Sequence, residues 1–227
     1  MTLPERYQDF LQKSVVRGKV VKIAYFQEQG LKVFLEKLRV QGWLDLFTNT
    51  QRGCSIPELV EFYANYVITN GVVTSIVGGH RIRFDAANLG EMLSVPSDGF
   101  DVYVCEDKNV LGEERLPELN RNLAQNPQLT VSRSIRKGEM LPLHRLLFWF
   151  IIKNVIPWGQ GRNLADLIDM CLTDLLDRGE KINLPAIMIH HITRIANTSK
   201  DHDMGYGFLL TSVFEKSGIT LQKRVSL

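Results

Sequence analysis

The chain has 227 residues, 44% of them hydrophobic and 23% charged, the proportions of an ordinary globular protein with material for a sizeable core. A formal charge of +2 supplies no global field for nucleic acid or for basic partners, so either role is left to local patches. Three distant cysteines, Cys54, Cys105 and Cys171, fit neither a disulfide framework nor a zinc-ligand spacing and point to a reducing compartment. The N-terminus is polar, without the apolar core of a secretory signal, and no run reaches the roughly 20 apolar residues of a membrane span. The expectation is an intracellular protein, nuclear or cytoplasmic, not secreted and with no membrane partner.

Residues 1–22 lean basic, with Tyr7, Phe10 and Leu11 forming one helical turn against the body. A short extended piece follows at 20–26. Leu31, Phe34, Leu35 and Leu38 keep the three–four spacing of one buried helix face, which predicts a helix over 27–41 with Gly42 as its C-cap. Ser55-Ile56-Pro57-Glu58 matches a capping box and opens a helix predicted to run to about residue 69. Two β-branched runs joined at Gly78-Gly79 predict a hairpin over 72–84, with Arg81 and Arg83 alternating with Ile82 and Phe84. Asp85 caps a short helix that stops before Pro96.

Residues 97–139 are the least regular stretch. Phe100 and 102–104 suggest a strand, 116–124 a short helix, and 129–139 a mobile basic connector holding Arg133, Arg136 and Lys137. The most apolar run is 140–156, with Pro142 in its first turn and Pro157 closing it. Seven consecutive apolar residues, Leu146 to Ile152, predict a helix buried on every face. Asn163 is the expected cap of a helix to Arg178, with Asp166 in its first turn and Gly179 as its stop. Asn183 caps the next helix, over 184–197. A last helix covers 206–216, and 220–227 is expected to be loose.

These signals, in this order, resemble a known family. GWLDLF, PELVEFYANY and GHRIRFDAANLGEMLSVP in the first half, with LPLHRLLFWFIIKNVIPWGQGRN and GEKINLPAIMIHHI in the second, look like the plant mobile-element domain. That family is also described as the putative plant transposon protein domain and as an aminotransferase-like plant mobile domain, derived from retrotransposons. The resemblance covers about residues 20–218. It implies origin in a plant transposable element, with roles of some members in nuclear silencing and genome maintenance, and it supplies no catalytic residues. No lysine has the Asp and Arg partners and phosphate cup that the aminotransferase-like label would require.

Candidate chemistry is weighed against structural roles. Asp166, Asp169, Asp174 and Asp177 fall in one helical arc that could hold a cation, as a transposase would need, but reads as the solvated face of an amphipathic helix. His190 and His191, adjacent on a helix, point about 100° apart and do not easily share a metal, though His190 with Arg194 could face the acidic helix. Asp201-His202-Asp203 lacks a matching ligand motif, and His144 reads as a core-edge residue. Arg81, Arg83, Arg133, Arg136 and Lys137 are the candidate nucleic-acid contacts, with Tyr103 as a stacking surface.

The resulting expectation is a mainly α fold, a helical domain around a central buried helix (140–156) with a small β-hairpin (72–84). It forms one domain over 1–227, with an N-terminal lobe at 20–96, an irregular connector at 97–139 and a C-terminal helical lobe at 140–218. The expected function is a non-catalytic interaction and assembly module with a protein partner, without cofactor or metal. A nucleic-acid-binding protein is the alternative, and a degenerate transposase or nuclease the second.

Overall fold

The computed structural model describes residues 2–16, 18–49, 53–107, 115–126, 132–159, 161–198, 202–222 and 225–226. The protein is mainly α-helical, and among the described residues there are one three-stranded antiparallel sheet and two short two-stranded ribbons. Helix α1 (Leu3–Gln12) starts at Thr2, whose backbone N–H donates to Glu5 Oε2 at 2.7 Å. The piece expected to be extended over 20–26 is instead helical from Ile23, as α2 (Ile23–Glu28), and the helix expected over 27–41 starts only at Lys32, as α3 (Lys32–Gln41). Gly30 adopts φ +70°, and Leu31 N–H turns back to the Phe26 carbonyl, a left-handed stop that glycine permits. Gly42 ends α3 in the same way, as expected. Helix α4 (Leu44–Thr48) and strand β1 (Gly53–Cys54) lead into α5 (Ile56–Ala64).

Helix α5 ends five residues earlier than predicted. Asn65 Nδ2 donates to the carbonyls of Glu61 and Ile76, tying the helix end to the sheet, and the β-branched residues that follow become strand β2 (Val67–Thr69). Strands β3 (Val72–Val77) and β4 (His80–Phe84) form the expected hairpin, with β2 added at its edge. Both turns, Asn70-Gly71 and Gly78-Gly79, have positive φ at both central residues, which matches the right-handed twist of the strands. Val73, Val77, Ile82 and Phe84 enter the core, and Ile76, Arg81 and Arg83 face outward.

Helix α6 (Ala86–Leu93) is capped by Asp85, which accepts from Asn88 N–H at 2.9 Å. The strand expected at 102–104 is instead α7 (Val102–Asp107), because Asp101 Oδ1 accepts the Tyr103 N–H and starts a helix. Only Phe100 pairs as extended chain, with Ile182. Gly99, at φ +104°, sits so close to Lys181 that a Cβ would lie 2.5 Å from the Lys181 carbonyl. Gly99→Ala is therefore expected to lower stability by about 1–3 kcal/mol, read as a shift of the urea midpoint at constant slope.

Within the stretch expected to be irregular, α8 (Leu116–Leu123) and β5 (Ile135–Arg136) are ordered elements, followed by a 3₁₀ turn (Lys137–Glu139). Residues 108–114 and 127–131 of that stretch lie outside the described residues. Helix α9 (Pro142–Phe150) continues into a π-helical turn (Ile151–Val155), in which Ile156 N–H bonds the Ile151 carbonyl. Burial along it is uneven. Leu147, Phe148, Phe150, Ile151 and Ile152 are buried, whereas Leu143, Leu146 and Trp149 are half-buried at three-residue intervals.

Strand β6 (Leu164–Ala165) pairs with β5. Helix α10 (Leu167–Arg178) is capped by Asp166 rather than the expected Asn163 and stops at Gly179. Helix α11 (Leu184–Asn197) has its expected cap, Asn183, and α12 (Gly207–Lys216) follows. The tail contributes β7 (Val225–Ser226), paired antiparallel with β1, where a loose end was expected. The main hydrophobic cluster runs from Phe10 to Ile219, and a second contains Leu119, Leu123, Ile135, Met140, Phe148, Ile152, Ala165 and Met170. No described helix is long and apolar enough to cross a membrane.

Candidate functional site

The α10 carboxylates do not form one solvated face: Asp166 is exposed, but Asp169 and Asp174 are buried. Asp166 accepts the Asp169 N–H at 3.0 Å, and Asp169 Oδ2 accepts the Asp166 N–H at 3.1 Å, a reciprocal helix cap. Arg162 Nη2 reaches both carboxylates, at 2.7 and 2.9 Å. Asp169 is fully buried. Burial first, and the neighbouring Asp166 charge second, push its carboxyl up to about 7 against the pull of Arg162. Asp166 moves the other way. Burial raises it, but the Asp169 N–H and Arg162 together outweigh burial and hold it below the usual carboxylate range.

Two turns later, buried Asp174 is held by Arg115 and Arg178, each at 3.3 Å, and by Asn122 Nδ2 at 3.1 Å. Asp177 meets His144 Nε2 at 2.9 Å and Lys37 Nζ at 3.2 Å, which outweigh burial and keep it ionised to lower pH. The acidic arc is thus the seam that joins α10 to α3, α8, α9 and the 157–166 loop. Its partners come from positions 37, 115, 144 and 162 as well as from α10 itself.

That loop also builds the chemically richest cleft, about 680 Å³, lined by Lys13, Trp158, Arg162, His191, His202 and Asp203 among others. The Arg162 guanidinium lies 4.8 Å from the Trp158 ring centre, and the His202 ring 5.0 Å from it. A Cβ on Gly159 would collide with the Asp203 carboxylate, so glycine is what lets the two segments meet. His191 is buried beneath, and its burial pushes the imidazole down to about 3. Tyr206 Oη donates to the Val155 carbonyl at 2.7 Å, which uses its one proton. His191 Nδ1, 3.0 Å away, must then be the donor to Tyr206 Oη, which leaves the Nε2 lone pair as the acceptor. His190 does not face the acidic helix. Its Nε2 is 3.2 Å from Asp101, and its ring lies 5.3 Å from Tyr103. Tyr103 itself is buried, so it offers no exposed stacking surface. Asp201 lies outside the described residues.

The arginines singled out by sequence fall in two places. Arg81 and Arg83 are exposed on the outer face of β4, opposite Ile76 and Thr74. Arg136 and Lys137 line a shallow, open pocket of about 960 Å³ together with Gly138, Glu139, Arg145, Asn163 and Leu164. Arg133 is exposed three residues before Arg136. The pocket includes neither hairpin arginine, and it recruits Arg145, which sequence reasoning passed over as a flank of the apolar run.

A family model described as a putative plant retrotransposon-related domain matches residues 39–220. The chain belongs to this family. No curated protein and no solved structure matches it. The retrotransposon-related domain begins at the end of α3 and ends past α12, so it takes in the sheet, the α10 ion-pair seam apart from Lys37, and the Arg136–Arg145 pocket. Of the cleft residues above, only Lys13, on the segment after α1, lies outside the match. Trp158 and Arg162 could have been found in sequence from the PWGQGR string, in which an aromatic, two glycines and an arginine share one turn.

Proposed function

We propose that this transposable-element-derived domain works by binding a protein partner rather than by catalysis. One observation carries the reading: the outer face of the β2–β3–β4 sheet combines exposed aliphatic side chains with unpaired arginines. Val67 and Ile76 are 52% and 51% exposed, and Leu3 of α1, which shares a shallow groove with Ile76 and Tyr7, is 56% exposed. Among the described residues no carboxylate pairs with Arg81 or Arg83 on this face. Aliphatic area beside arginine is the composition of protein interfaces. The complementary occupant is a partner segment with carboxylates flanking apolar side chains.

Two further features support a binding role. The α10 carboxylates are spent on internal ion pairs, which suits a structural task. In the run from Met140 to Ile156, Leu147, Phe150, Ile151 and Val155 join the main cluster while Phe148 and Ile152 join the second, which suits a shared axis.

The test is proximity labelling in plant cells with the wild-type chain and an Ile76→Asp/Arg81→Glu variant whose circular dichroism and melting match wild type. The expected result is loss of a defined set of neighbours. Restoration of labelling to Arg81→Glu, when a neighbour's acidic segment is changed to lysine, would identify the contact. Identical neighbour sets from both proteins would overturn the proposal.

A further inference from the structure

We infer that the open depression between β5 and α9 is a binding site for the phosphates of a single nucleic-acid strand. Arg136 and Lys137 enter it from the end of β5 and the 3₁₀ turn, and Arg145 enters from α9. Lys137 N–H donates to the Asn163 carbonyl at 2.7 Å, and β5 pairs with β6, so the two halves of the pocket are fixed by backbone bonds.

The state of these cations is the main argument. Several cations of the helical body are held by carboxylates: Arg115 and Arg178 by Asp174, Arg162 by Asp166 and Asp169, Lys37 by Asp177, Lys13 by Asp9. Among the described residues, Arg136, Lys137 and Arg145 have no carboxylate partner. The one carboxylate lining the pocket, Glu139, accepts the backbone N–H of Arg136 at 3.1 Å. Three cations against one carboxylate leave this open depression positive.

Size and lining select the ligand. At about 960 Å³ the pocket is far larger than one phosphate ion, and Leu164, 49% exposed, gives it an apolar wall. A strand that alternates phosphates with base faces uses both features. This site is separate from the sheet face assigned above to a protein partner, and it stands or falls independently.

The test is fluorescence anisotropy with labelled dodecamers of deoxythymidine and of uridine, over a salt series, using the full chain. Three phosphate contacts predict a log–log salt slope of about −2. Arg136→Glu/Arg145→Glu is expected to weaken binding at low salt at least tenfold and to flatten the slope by more than half. Arg81→Glu/Arg83→Glu is expected to leave both unchanged. A common affinity for the two dodecamers would mean that the backbone is read, and a preference for uridine that the 2′-hydroxyl is read as well; either fits the site. No binding at low salt would overturn the inference. So would binding that survives the Arg136/Arg145 change with unaltered melting, or displacement by polyglutamate at equal charge, which would assign the pocket to an acidic peptide.

Discussion

Phe150→Ala is expected to lower the unfolding free energy by about 3–5 kcal/mol, measured by urea denaturation. Phe150 is fully buried near the end of α9. Its ring meets Phe47 edge-on at 5.0 Å and Phe34 edge-on at 5.6 Å, and Phe34 in turn stacks on Phe26 at 4.8 Å. Truncation opens a cavity lined by rings on rigid helices and removes two aromatic contacts, each worth about 0.5–1.5 kcal/mol beyond area burial. The neighbouring Trp149, which the apolar run alone would place equally deep, is half-buried. Trp149→Ala is expected to cost about 1–2 kcal/mol, since only part of its area is removed from water. A larger loss for Trp149 than for Phe150 would mean that the buried and half-buried stripes of α9 are exchanged.

The second large effect is a pair of opposed pH dependences. His191 is pushed down to about 3 by burial, so between pH 6.5 and 3 the unfolded chain binds a proton that the folded chain does not. Its contribution to stability is fully present above pH 6.5 and is lost as pH falls through that window. Asp169 is pushed up to about 7, so between pH 7 and 3.8 the folded chain holds a proton that the unfolded chain has released. Its contribution grows as pH falls through that window. Each is worth about 2–3 kcal/mol between pH 6.5 and 4, at 1.36 kcal/mol per unit. The lowered carboxyls of Asp101, Asp166 and Asp177 begin to lose their contribution below about pH 5 and add only a small loss by pH 4.

In the wild-type chain the two slopes largely cancel. Asp169→Asn should therefore lose about 2–3 kcal/mol more than wild type on going from pH 6.5 to 4, and His191→Gln should lose less or gain. Chemical denaturation of the three proteins at five pH values measures this. Parallel curves for all three would show that neither group is buried as described.

The same two residues show how far sequence carries. Asp169 has the spacing of an outward-facing residue on an amphipathic helix, and by that pattern it belongs in water. Arg162 and Asp166 lie within seven residues of it, but the burial that raises its carboxyl depends on how the 157–166 loop lies on α10. Asp174 repeats the case, with Arg115 reaching it from 59 residues away. The Arg136–Lys137–Arg145 pocket is similar. Two of its cations were visible as a basic connector, whereas Arg145 was hidden because only the β5–β6 pairing brings the connector against α9.

What the sequence determined by itself is local in its physics: the caps at Asp85 and Asn183, the left-handed stops at Gly42 and Gly179, the Gly-Gly hairpin, and a mainly helical chain of plant mobile-element type. Each depends on hydrogen bonds or backbone angles within a few residues. Tertiary structure decided the rest. Residues 67–69 became a strand because a hairpin edge was there to accept them, and the tail became β7 because β1 was. The carboxylates of α10 became a seam because distant cations converge on them. Pairing and burial are set by what lies opposite in space, and one chain read in order does not say what that is.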